Sequence, residues 1–202
     1  MTISIPPTAV NGTRPRIAAR LDDRKDDLYE TPAAAVRALL QVEALPCCLW
    51  EPACGPGAIV RVLRGAGHSV IATDLADYQS PDQDFARRDF LLERAAPERV
   101  EAIVTNPPFK LANQFVEHAL RLCPRVVMLL RLTFLESTRR TAILEAGHLA
   151  RVYVFRNRLP MMHRAGWNGP MASSTVAYAW FVWDRDHDGP TELRRISAEV
   201  TP

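Results

Sequence analysis

With 202 residues, 48% of them hydrophobic and 24% charged, the chain has the composition of an ordinary soluble globular protein and the length of one α/β domain. A formal net charge of +2 neither requires nor excludes a nucleic-acid partner, so the placement of its arginines matters more than their sum. Cys47, Cys48, Cys54 and Cys123 form no C-x-x-C pair, and no leader pattern or ~20-residue apolar run is present. The expectation is a cytoplasmic protein with reduced thiols, no disulfide framework, no metal site and no membrane partner.

Residues 1–25 carry Pro6, Pro7, Pro15 and five basic residues (Arg14, Arg16, Arg20, Arg24, Lys25) with little apolar periodicity. This reads as a tail before the fold, either simply solvated or a basic arm for phosphate. One domain is expected over 26–187, followed by a C-terminal tail over 188–202. Within the domain, strands are predicted at Cys48–Ala53, Ser69–Thr73, Phe85–Arg88, Val100–Thr105 and Arg125–Leu130. Helical spacing follows the Gly55/Gly57 turn to about Arg64, and recurs over Leu111–Leu122. Strands alternating with helices imply a mostly parallel, covered sheet. Ala150–Phe155 and Val176–Trp183 read as an antiparallel hairpin at one sheet edge, joined by a loop over Leu159–Ser174.

Strand ends carry the polar chemistry. Glu51-Pro52-Ala53-Cys54-Gly55-Pro56-Gly57 is a strand–turn–helix junction whose glycines let a ligand approach the backbone. It is not a clean dinucleotide fingerprint, because Val60 stands where a third glycine belongs. Asp74, before Leu75, closes the next strand, where a carboxylate either accepts the hydroxyl protons of a ribose or caps a turn. Asp89-Phe90 sets an acceptor beside an aromatic face, suited to an adenine ring. Asn106-Pro107-Pro108-Phe109 follows the apolar Ala102-Ile103-Val104 run. Its two prolines remove two N–H donors and leave carbonyls as acceptors, Asn106 adds a side-chain carbonyl, and Phe109 offers a stacking face. Two acceptors gripping an amine push it toward tetrahedral geometry and expose its lone pair.

In this order the motifs resemble those of the class I S-adenosyl-L-methionine-dependent adenine-N6 DNA methyltransferases. Leu129–Arg131 and the Met-His-Arg to Trp-Phe-Val-Trp-Asp stretch resemble small phage or prophage-type members. The resemblance covers roughly Leu28 to Trp183 and implies a Rossmann-like fold, a mostly parallel seven-stranded sheet with a C-terminal antiparallel hairpin. It implies that Tyr29, Thr31 and Pro32, in the segment Tyr29-Glu30-Thr31-Pro32, close over the methionine part of the cofactor. Glu51, Pro52, Ala53, Gly55 and Gly57 would surround that part; Asp74 and Leu75 would hold the ribose; Asp89 and Phe90 would contact the cofactor adenine. Asn106, which also borders the cofactor, and the Pro107 carbonyl would bind the target amine, with Pro108 fixing the turn and Phe109 stacking on the base.

A base inside a duplex is out of reach, so a DNA enzyme of this kind must flip it out. No long recognition region is evident. Arg156, Arg158 and the loop residues His163, Arg164, Trp167 and Asn168 offer phosphate contact, stacking and base-edge bonding if the strand from Ala150 runs parallel to the others. The bland alternative is an ordinary hairpin tip. Arg131 is a phosphate contact or a structural ion pair. Pro46-Cys47 looks like the nucleophile pair of cytosine-C5 enzymes, but it precedes the first motif; Cys47 is read as a buried thiol at a strand start. Nucleic acid, DNA first, is the expected partner. Adenine in RNA, a protein glutamine amide, and a catalytically silent binding module are the alternatives.

Overall fold

The computed structural model describes residues 29–145, 148–161 and 176–198. The chain runs through α1 (Ala33–Leu40), β1 (Cys48–Glu51), α2 (Ala58–Gly65), β2 (Ser69–Ala72), β3 (Ala102–Thr105), α3 (Ala112–Leu122), β4 (Arg125–Arg131), α4 (Thr141–Leu144), β5 (Leu149–Phe155), β6 (Tyr178–Asp184) and β7 (Glu192–Ile196). Short 3-10 turns stand at Phe90–Leu92, Phe109–Leu111, Leu132–Leu135 and Thr138–Arg140. One sheet holds all seven strands in the order β2-β1-β3-β4-β6-β5-β7. β1 to β4 are parallel; β6 is antiparallel to both β4 and β5, and β7 is parallel to β5. β5 therefore runs in the direction of β4, and its carboxyl end shares a sheet edge with those of β1 and β3. The architecture is the α/β, Rossmann-like one expected.

Three details correct the sequence reading. The segment Phe85–Arg88 is no strand; it meets the end of β2 through an isolated Thr73–Phe85 bridge and an Arg88 N–H bond to the Asp74 carbonyl at 2.9 Å. The Asp84 carboxylate takes the Ala72 N–H at 2.8 Å while the Asp84 and Phe85 N–H groups both donate to the Ala72 carbonyl. These bonds cap the end of β2 instead of building a ladder beside it. Second, Glu192–Ile196, expected within a tail, pairs along β5 as the edge strand β7. Four of its five residues are exposed, so it has little apolar signal to read. Third, the hairpin is not at the edge. β6 lies inside the sheet, and every residue from Tyr178 to Trp183 is buried.

Burial of β6 on both faces ties the layers together. Large apolar side chains of this kind contribute roughly 1.5–3 kcal/mol each when fully buried. Trp180 packs with α1 and α2 on one face, and Phe181 and Trp183 with α3 and α4 on the other. Their indole N–H groups stay satisfied: Trp180 donates to the Ala35 carbonyl at 3.0 Å and Trp183 to the Ile143 carbonyl at 2.7 Å. Among the described residues no helix is long and apolar enough to cross a membrane. The segment 1–25 and the residues His163, Arg164, Trp167 and Asn168 lie outside the described residues.

Candidate functional site

The carboxyl edge of β1 and β3 opens into a cleft lined by Tyr29, Thr31, Glu51, Ala53, Gly55 and Asn106, among others. The turn after β1 adopts left-handed backbone at Gly55 (φ 54°) and Gly57 (φ 90°). Gly57 caps the start of α2, and a Cβ there would fall 2.2 Å from the Asp82 Cβ. Only glycine fits. The segment after β2 wraps this turn: Ser80 Oγ and Arg61 both donate to the Pro56 carbonyl at 2.9 Å, and Arg61 pairs with Asp82 at 2.7 Å.

Asp74 is 1% exposed, and its carboxylate accepts the Gly55 N–H at 3.0 Å and the Ala76 N–H at 2.8 Å. It lines the cleft, but it also braces the glycine turn. The capping and ligand-facing alternatives therefore meet in one residue. Glu51 is 2% exposed, and its Oε2 has no partner among the described residues. Burial pushes its carboxyl well above the ordinary carboxylate range, and the nearby Asp74 charge adds to this. A group bearing positive charge would be welcome beside it.

Asn106 occupies the end of β3. Its amide nitrogen donates to the Tyr29 carbonyl at 3.2 Å and to Thr31 Oγ1 at 3.1 Å. A backbone carbonyl only accepts, so the amide must turn its NH2 toward Tyr29 and its oxygen away. That oxygen, Oδ1, is buried and unpartnered. The next two residues differ in a useful way. The Pro108 carbonyl accepts the Leu111 N–H at 2.9 Å, whereas the Pro107 carbonyl engages no donor among the described residues. Asn106 Oδ1 and the Pro107 carbonyl are therefore two successive acceptors that meet no donor among the described residues. Four buried side-chain polar atoms lack a partner among the described residues, and Glu51 Oε2, Thr105 Oγ1 and Asn106 Oδ1 are three of them, all at the ends of β1 and β3. Each such atom costs about 1–3 kcal/mol, so their gathering at one edge marks a place built for a ligand.

Phe109 is half-buried, with its ring centroid 5.0 Å from that of Tyr29 and 5.8 Å from that of Tyr178. The Arg131 guanidinium carbon lies 4.3 Å from its centroid. Arg131 is exposed and forms no ion pair among the described residues. Arg156 and Arg158 are exposed just beyond the carboxyl end of β5, on the same sheet edge as the cleft, as the parallel direction of β5 requires.

Other expected residues sit less directly. Leu75, Pro52, Asp89 and Phe90 share a neighbouring shallow hollow. Asp89 spends an oxygen on capping the Phe90–Leu92 turn, accepting the Leu91 N–H at 3.0 Å. Phe90 is 2% exposed and packs against Trp50, Phe115 and His118, so its ring belongs to the core before it belongs to any ligand. Pro32 starts α1 and lines a different surface groove. Cys47 is exposed, not buried, and precedes β1 at the opposite edge from Asn106. Tyr78, Ile59 and Thr105 were not singled out from sequence; Tyr78 and Ile59 line the cleft, and nothing in their local pattern points there.

The chain matches no protein-family model and no curated protein by sequence. Solved structures share its fold. A modification subunit assigned to a type I restriction enzyme of Vibrio vulnificus YJ016 superposes with a TM-score of 0.59 at 16% identity, covering 91% of this chain and 51% of that one. A component of a type I restriction–modification system gives 0.55 at 16% identity, over 87% of this chain and 45% of that one. A Pyrococcus horikoshii protein assigned as an RNA methyltransferase gives 0.60 at 12% identity, over 85% and 89%. The chain spans about half the length of the restriction–modification proteins it resembles. It has the Rossmann-like fold that these methyltransferase structures share.

Proposed function

We infer that this protein transfers a methyl group from S-adenosyl-L-methionine to an exocyclic amine, and that the amine is N6 of adenine in DNA. One observation carries the reading: Asn106 Oδ1 is a buried, unpartnered acceptor whose orientation is fixed by the Tyr29 carbonyl and Thr31, directly before two prolines. The residues present fit the cofactor. Glu51 has an orphaned buried oxygen and a carboxyl waiting for positive charge, and it lines the same cleft as Gly55, Tyr29 and Thr31. Glu51, Gly55, Gly57, Tyr29 and Thr31 would hold its methionine end, Asp74 and Leu75 its ribose, and Asp89 its adenine.

When bound, the cofactor supplies a methyl already activated on sulfonium. The chain's own task is positioning. Asn106 Oδ1 and the Pro107 carbonyl each accept one N–H of the target amine, and their directions favour a pyramidal nitrogen with its lone pair exposed. Phe109 stacks on the base plane and fixes the approach. The amine proton becomes acidic as the new N–C bond forms and leaves to water, so no strong base is needed. Similarity of fold to restriction–modification subunits supports DNA as substrate. Exposed Arg131, Arg156 and Arg158 on the same edge supply phosphate contacts, and His163, Arg164, Trp167 and Asn168 are proposed to join them.

Parallel assays of labelled methyl transfer to duplex DNA, single-stranded DNA, RNA and glutamine-bearing peptide test this reading. Label in DNA adenine is expected. Label in RNA or peptide alone would overturn the substrate, and no label anywhere from a protein that binds the cofactor would overturn the enzyme.

A further inference from the structure

A second hollow lies beside Phe109, between the end of β4 and the loop 132–140. Its polar groups are Arg131, Thr133 and Arg140, and no carboxylate lines it. Arg140 is firmly held: Nε donates to Asn113 Oδ1 at 2.8 Å, and one terminal nitrogen donates to the carbonyls of Thr133, Phe134 and Glu136 at 3.1, 3.1 and 2.7 Å. Its guanidinium carbon also sits 4.4 Å from the centroid of the Phe134 ring. The second terminal nitrogen has no partner among the described residues. Around this fixed cation the loop passes through Ser137 at φ 100°, a strained conformation for a side-chain-bearing residue. Arg131, by contrast, is free to swing, since stacking on Phe109 is all that holds it. The Thr133 hydroxyl is exposed and without a partner among the described residues.

We propose that Arg131, Thr133 and the open edge of Arg140 form a phosphodiester subsite that grips the backbone phosphate next to the target base. This assignment rests on the base-methylating reading above. One preorganised guanidinium, one mobile guanidinium and a hydroxyl match the oxygens of a single phosphate. The arrangement also couples two events. Arg131 covers the Phe109 ring in the free protein, and its move to the phosphate uncovers that ring for the base. A free nucleoside would displace Arg131 into solvent with no phosphate to offset the lost stacking, so the site favours polymeric substrate.

The test is a binding cycle with a fluorescein-labelled single-stranded oligonucleotide bearing one adenine, with a neutral methylphosphonate placed in turn on either side of that adenine. The wild-type protein is expected to lose about tenfold in affinity for one of the two positions. Arg131→Gln should lose a similar factor on the natural backbone, with a salt slope smaller by about 0.7, and should lose no more when the methylphosphonate is present. Arg140→Lys, which keeps the charge but not the fork, should show the same non-additivity. Additive losses, or full affinity in Arg131→Gln, would overturn the subsite while methylation of the oligonucleotide left the proposed function standing. Methylation of a peptide and of no oligonucleotide would overturn both.

Discussion

The two edges of the sheet treat buried polar groups in opposite ways. At the amino edge, charge is saturated. Arg151 pairs with Glu43 through two hydrogen bonds of 2.7 and 2.9 Å, and Glu43 also accepts the Tyr153 hydroxyl at 2.7 Å. Asp184 accepts from Arg125 at 2.6 Å and lies 3.7 Å from Arg151. Burial and the bond to Glu43 push the Tyr153 hydroxyl up to about 12. At the carboxyl edge the polar groups are left open: Glu51, Thr105 and Asn106 each keep a buried oxygen without a partner. One edge spends its polar groups on holding strands and helix together; the other withholds them for a ligand and bears the cost.

The contrast extends to pH. Burial raises Asp184 too, but the Arg125 bond and charge, the Asp186 N–H and the Arg151 charge outweigh it and leave the carboxyl below its ordinary value. Stability from Asp184 is therefore present above the ordinary value of 3.8 and lost as pH falls through the lowered one. Glu51 has the reverse sign. Its folded carboxyl holds its proton above the ordinary value of 4.5, so its contribution is complete below that value and declines as pH rises toward the raised one.

Substitutions at the two edges should separate activity from stability. The largest effect is expected from Asn106→Ala, which removes an oriented acceptor and should lower methyl-transfer kcat/KM by about 10²–10³-fold. Cofactor affinity measured by calorimetry should largely survive; loss of both together would make Asn106 a structural residue. Glu43→Ala should do the opposite, costing about 3 kcal/mol in urea denaturation by stranding Arg151, with kcat/KM unchanged at a permissive temperature. A fall in activity at full stability would break the division between edges. Glu51→Gln should weaken cofactor binding by roughly 10–100-fold, the range of a charged hydrogen bond. In the cofactor-free protein it should also flatten the decline of stability with pH, so that the variant outlasts the wild type by a margin that widens as pH rises above the ordinary value of 4.5. Arg156→Ala and Arg158→Ala should each cost only a few-fold in oligonucleotide affinity at low salt, an effect fading as salt rises. A salt-independent loss would assign them a local structural role instead.

Much of the fold was legible along the chain. Short apolar runs ending in polar residues located β1 to β6 to within a few residues, because burial imposes its period locally. The place of β6 was not read, although Tyr178 to Trp183 lacks polar alternation and so already fits a strand covered on both faces. β7 escaped because an exposed edge strand needs a partner more than it needs apolar residues. Phe85–Arg88 misled because a side chain, Asp84, took over the edge of β2.

By itself, the sequence determined which chemistry is possible. Asn106-Pro107-Pro108-Phe109 includes two prolines that keep their carbonyls and lack N–H donors, Gly55 and Gly57 permit a turn no other residue would make, and Glu51 and Asp74 end neighbouring strands. Residue types set these properties, so they can be read without coordinates. Tertiary structure alone decided which groups are spent and which remain open. Asp74 turned out to brace the glycine turn, Phe90 entered the core, and Arg131 came to rest on Phe109. Asn106 gained its direction from Tyr29 and Thr31, more than 70 residues earlier in the chain. Satisfaction of a hydrogen bond depends on what lies across space, and a linear pattern carries no record of that partner.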